Sequence, residues 1–235
     1  QLTDNSKRIL ALKDDYIKTI DSVIHFLQGK NANLARQISN GNFLPEASRF
    51  SQIDDLDWAF GFMGNYDKAK HLATLYLEDI SDFIVENIDE NFGFSRYAER
   101  LGRSANSFDE LHEMLNNELT YIDRITLKIL NKKIQEIQPS LVCVSVPFPG
   151  NLYSGFRCAQ FIKNNFPEIK TALGGGFPNT ELREINDARV FEFFDYLTLD
   201  DGELPIELLY NNLSKAEDER VYKRTFFLEN NLVTY

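Results

Sequence analysis

The stretch SLVCVSVPFPGN, residues 140–151, is where the sequence changes character. Ser140 to Val146 is a short run of β-branched and apolar residues, the pattern of a strand buried on both faces of a parallel sheet. The loop PFPGN follows, and then Leu152, Phe156, Ala159 and Ile162 recur at the spacing of one helix face. Strand, loop and helix in that order open a parallel α/β array.

The same order repeats twice downstream. IKTAL, residues 169–173, runs into Gly174, Gly175 and Gly176, and the polar stretch after Phe177-Pro178 reads as a helix start. FFDYLTL, residues 193–199, predicts a third strand, and DDGELP opens a last helix with Pro205 in its first turn and Leu208, Leu209 and Leu213 apolar. Three such units imply an α/β fold with right-handed crossovers and a parallel sheet. Sheets usually have about 5–6 strands. A sheet of three is therefore expected to be incomplete, or to use a strand concealed upstream. The chain begins with Gln, and with the short sheet this reads as a piece of a longer protein. The tail KRTFFLENNLVTY, residues 223–235, is a candidate hairpin turning at Asn230-Asn231.

Upstream, helices are expected. Ile9, Leu12, Tyr16, Ile20, Ile24 and Leu27 predict a helix stopped by GKNAN from Gly29. A short segment from Leu34 to Ser39 ends at Asn40-Gly41, and an aromatic loop, DLDWAFGFMGNYD, precedes a long amphipathic run with Leu72, Leu75, Tyr76, Phe83 and Ile84. Ser107 and Glu110 have the form of a capping box for a helix reaching Leu115. Ile122, Ile125, Ile129, Ile134 and Ile137 mark the apolar face of one more helix, closed by Pro139. The expected layout is a helical region over 1–138, an α/β domain over 139–213, and a linker with a possible hairpin over 214–235.

Composition bounds the function. The chain has 235 residues, 43% hydrophobic and 26% charged, enough for a sizeable core. Its net charge of −11 argues against nucleic acid as a partner. No apolar run approaches the roughly 20 residues of a membrane span, and no signal peptide is visible. Two cysteines, Cys143 and Cys158, suit a reducing, cytoplasmic setting; both are expected in the core, and they are too few for an iron–sulfur cluster. His25, His71 and His112 lie on different helices without a second ligand nearby, so no metal site is expected from them. Trp58, Phe60 and Phe62 read as a core plug, and Arg96, Tyr97 and Arg100 as a solvated helix face. No nucleophile–base arrangement is legible, so this chain is not expected to be catalytic alone.

In an open α/β sheet, ligands bind outside the carboxyl ends of the strands. Three loops lie there: SVPFPGN, GGGFPN and DDGE. Adjacent glycines are entropically expensive, so the bare backbone at Gly174 to Gly176 predicts either the approach of a ligand or a tight strand-to-helix turn. Neither the P-loop nor the dinucleotide glycine pattern is present.

Pro139 to Leu209 resembles the cobalamin-binding domain that precedes the catalytic core of radical S-adenosylmethionine proteins. The resemblance rests on Pro139, Val142 and Ser145; on Pro167, Gly174 and Gly175; on Asp195 and Tyr196; and on Gly202 and Glu203. Lys70 to Leu101 is similar to a helical insertion in one subgroup of that family. The resemblance implies a flavodoxin-like fold with cobalamin at the carboxyl edge of the sheet. Its contacts would be Ser145, Pro147, Gly150 and Asn151 from the first loop; Gly174, Gly175, Gly176 and Phe177 from the second; and Asp200, Asp201, Gly202 and Glu203 from the third. The cofactor's histidine motif D-x-H-x-x-G is absent, so cobalt would be held without a protein imidazole. S-adenosylmethionine and a 4Fe-4S cluster would belong to a downstream radical domain, the module's own partner beyond Tyr235. That domain would make the parent an oxidoreductase or methyltransferase. The alternative is a protein-interaction module that keeps the α/β fold without a cofactor.

Overall fold

The computed structural model describes residues 2–52, 64–103 and 108–235, and the chain divides into two compact units, Gln1–Glu90 and Asn91–Tyr235. The boundary expected at 138/139 falls inside the second unit, so the helices just before it pack with the sheet. The aromatic loop with Trp58, Phe60 and Phe62, and the Ser107 capping box, lie outside the described residues.

The first unit is helical. Thr3 caps α1 (Asp4–Ala11) by accepting the Ser6 N–H. The single helix expected to Leu27 breaks at Leu12, and α2 spans Lys13–Leu27. Asn40 and Gly41 end α3 (Ala35–Ser39), with Gly41 at φ +73°. The long amphipathic run forms α4 (Asn65–Asn87). Its Leu72 and Tyr76 meet Val23, Phe26 and Ile38 in one core, with Tyr76 stacked on Tyr16 at 4.9 Å. Asp79 of α4 is buried; it accepts the Ala47 and Arg49 N–H groups, and burial holds its carboxyl above the ordinary range.

The second unit begins with three helices: α5 (Glu99–Arg103), α6 (Asp109–Asn116) and α7 (Tyr121–Ile137). Thr120 and Asp123 form a capping box at the start of α7. The helix is where its period places it, but its buried side differs from expectation. Leu127 and Ile134 are buried, whereas Ile125, Ile129 and Ile137 are 43%, 60% and 67% exposed. Asp123 shares the inward side with Leu127 and Ile134. It is 3% exposed and accepts from Tyr153 Oη at 2.7 Å, while its Oδ2 lies 3.2 Å from Nε of Arg157, itself 3% exposed. The Arg157 guanidinium also donates to the Leu115 and Met114 carbonyls at the end of α6. Burying the pair is tolerable because every partner is in place.

After α7 the chain enters β1 (Leu141–Ser145), then α8 (Leu152–Asn165), β2 (Lys170–Gly174), α9 (Gly176–Glu181), β3 (Tyr196–Thr198) and α10 (Glu203–Asn212). Leu141 pairs with Lys170 and Ser145 with Gly174 in parallel, and Ala172 pairs with Tyr196. The tail supplies β4 (Thr225–Glu229) and β5 (Leu232–Thr234), joined through Asn230 and Asn231, both at positive φ, the backbone of a type I′ turn. β4 pairs antiparallel with β3, so the sheet is five-stranded, mixed and ordered β1-β2-β3-β4-β5. The expected shortage of strands is met partly by this hairpin. Phe156, Phe194, Leu173 and Leu197 form the core on one side of the sheet.

The three glycines mark a close crossing of the chain with itself. The Val146 N–H donates to the Gly174 carbonyl at 2.7 Å, and the Phe177 N–H donates to the Val146 carbonyl at 2.9 Å. A Cβ on Gly174 would stand 2.7 Å from Thr198 Oγ1, one on Gly175 2.8 Å from the Val146 backbone, and one on Gly176 3.0 Å from the Pro147 carbonyl. Gly175 has φ +106° and ψ −173°, a region essentially reserved for glycine. The bareness is thus accounted for by the chain's own neighbours.

Gly175→Ala is expected to destabilise the second unit by about 3 kcal/mol, read as a lower urea midpoint for β1 and β2 amide exchange. Gly202→Ala, whose Cβ would sit 3.5 Å from Ile206 Cδ1, should change it by less than about 0.5 kcal/mol.

Candidate functional site

At the carboxyl ends of β1, β2 and β3 the structure forms a slot of about 240 Å³. Ser145, Gly174, Gly175, Asp200 and Gly202, all expected from the sequence, line it. Cys143, Thr198 and Ile206 line it too and were not foreseen as site residues. The alternation of YLTL was the available signal for Thr198, since it puts this hydroxyl at the carboxyl end of β3.

The walls are held firmly. Asp200 has φ +60°, and its backbone N–H donates to Asn179 Oδ1 at 2.5 Å while Arg183 pairs with its carboxylate. Thr198 Oγ1 donates to the Leu173 carbonyl at 3.3 Å. The Ser145 hydroxyl is exposed and makes no hydrogen bond among the described residues.

The remaining expected residues do not join the slot. Pro147, Gly176 and Phe177 border a separate recess of about 490 Å³, on the other side of the Val146–Gly175 contact. Phe177 is itself buried and packs into the core. Gly150 is a packing glycine: its carbonyl accepts the Tyr97 N–H, and a Cβ there would meet Arg96 Cβ at 2.7 Å. Asn151 precedes α8 as its cap residue, half-buried. Asp201 is exposed, and Glu203 is exposed in the first turn of α10, where a carboxylate complements the helix dipole.

Two further expectations change. Cys143, taken for a core residue, is exposed because β1 is the edge of the sheet; partial burial against the slot still holds its thiol above the ordinary value. Tyr97 is buried and bonds Thr120 Oγ1 at 3.0 Å, whereas Arg96 lies on the surface and pairs with Glu99. His112 sits between Glu192 and Asn116, beside Phe108 and Phe193, and does not line the slot. Among the described residues no cluster of three His, Cys, Asp or Glu side chains could hold a metal, and no helix is long and apolar enough to cross a membrane.

Compared with protein-family models, with curated proteins and with solved structures, the chain matches none.

A thiol reagent such as dithionitrobenzoate should titrate one thiol in the folded chain at pH 7.5 and two after denaturation. Cys143 is the open one. Burial pushes the Cys158 thiol on α8 up to about 11, so its thiolate is scarce. Equal rates at both positions would show that the packing around α8 is open.

Proposed function

We propose that Asn91–Tyr235 is a cofactor-binding module of the flavodoxin-like, cobalamin-binding type, the accessory part of a radical S-adenosylmethionine iron–sulfur enzyme. S-adenosylmethionine and the 4Fe-4S cluster would reside in a separate domain. The supporting observation is the convergence of Ser145, Gly174, Gly175, Asp200 and Gly202 on one slot at the carboxyl ends of parallel strands, where open α/β sheets take their ligands.

The residues fit the cofactor in part. Pockets that enclose a whole small ligand measure about 300–1,000 Å³. A slot of about 240 Å³ would take a narrow limb of the cofactor, such as its nucleotide tail. Ser145 is the group to bond that limb, because its hydroxyl is unengaged and needs no rearrangement to accept or donate. No described histidine lines the slot. Cobalamin, when bound, supplies a cobalt centre for methyl or electron transfer; these residues hold and orient it.

A second reading, an interaction module without cofactor, is favoured by one observation: among the described residues no strand pairs with the outer edge of β1.

Titration of the chain with hydroxocobalamin, followed in the visible spectrum and by calorimetry, is expected to show saturable binding. Ser145→Phe, at an exposed position, should weaken it at least about tenfold with an unchanged circular dichroism spectrum. Bound corrinoid should also slow the labelling of Cys143. No binding by the unmodified chain, or undiminished binding by the variant, overturns the reading.

A further inference from the structure

The inner edge of β1 is spoken for. Its Ser140 carbonyl accepts the Lys170 N–H, and its Val146 N–H donates to Gly174. Backbone groups alternate along a strand, so Leu141, Cys143 and Ser145 turn their N–H and C=O groups to the outer edge. No strand among the described residues pairs with that edge. Three donors and three acceptors stand there at a spacing of two residues.

Exposed edges are normally guarded by charge, proline or a bulge. Here none of the residues from Ile137 to Phe156 is charged, in a chain that is 26% charged, and Pro139 and Pro147 lie outside the strand. The register with β2 runs without a bulge. The opposite edge, β5, is only three residues long. β1 is therefore the unguarded edge of this sheet.

The set of free groups is also complementary to itself. Turned through a two-fold axis at Cys143, the strand offers its Cys143 N–H and C=O to the partner's Cys143. Leu141 then exchanges both bonds with the partner's Ser145, and Ser145 with the partner's Leu141. All six outward groups of each strand are satisfied, Val142 faces the partner's Val144, and no charge meets a like charge at the edge.

We propose that β1 is the interface between two copies of this chain, paired antiparallel about Cys143 so that their sheets run on as one. One five-residue strand buries less than the roughly 1,200 Å² of a standard interface, so the dimer is a weak one. Each copy carries a net charge of −11. Salt screens that repulsion while leaving the neutral edge untouched, so the association strengthens as salt is added.

The test is sedimentation equilibrium of the chain from about 10 to about 500 μM, at about 0.05 and 0.5 M NaCl. The expected mass rises from 27.2 kDa towards twice that value, more steeply in high salt. Directly opposed residues at a bonded antiparallel position have Cα atoms about 5.5 Å apart. A short bis-maleimide should therefore couple the chains through Cys143, in unmodified protein and in Cys158→Ser, but not in Cys143→Ser. Cys143→Lys and Ser145→Lys place a cation at exposed positions and should leave monomers, while Cys143→Thr keeps the dimer. A mass of 27.2 kDa under every condition, or association undiminished by both lysine variants, overturns the proposal. So does cross-linking through Cys158.

Discussion

Where the chain leaves β2, Gly175 passes so close to the Val146 backbone that a single added carbon would stand 2.8 Å from it. Two hydrogen bonds close the crossing, Val146 to Gly174 at 2.7 Å and Phe177 to Val146 at 2.9 Å. The consequences spread outward. Phe177 is turned into the core against the helices, β1 and β2 are locked in register to their carboxyl ends, and the rim is divided into a slot and a recess. The glycines are therefore structural in the first instance, and the ligand space beside them is what that crossing leaves over.

The second constraint is electrostatic. Asp123 and Arg157 are both nearly fully buried, which is affordable only because Tyr153, Thr120 and the carbonyls of Met114 and Leu115 meet their remaining hydrogen-bonding capacity. The network draws α6, α7 and α8 onto one another. It lies on the inward side of α7, which also buries Leu127 and Ile134, while Ile125 and Ile129 lie on the exposed side.

Local signals carried the element reading well. Short apolar runs announced β1, β2 and β3, Pro205 sat in the first turn of α10, and Asn230-Asn231 made the turn of the final hairpin. Thr120 and Asp123, a Thr-x-x-Asp capping box, were legible in principle as a helix start. Other features depended on neighbours that no local pattern names. The apolar composition of β1 was that of an interior strand, and Cys143 was expected in the core on that ground; its place at the edge depends on which strands are beside it. The hairpin was legible as a hairpin but not as the continuation of the parallel sheet.

The site divides along the same line. Sequence alone determined that three loops would gather at the carboxyl ends of parallel strands, because strand direction and crossover handedness follow from the order of elements. It also determined that Gly174 to Gly176 would lie where backbone comes close to something. Only the tertiary structure decided what that something is, because the nearest atoms belong to Val146, Pro147 and Thr198, and all three stand more than twenty residues away in sequence from the glycines they meet. Periodicity reports which residues share a face; it does not report which face another segment will cover.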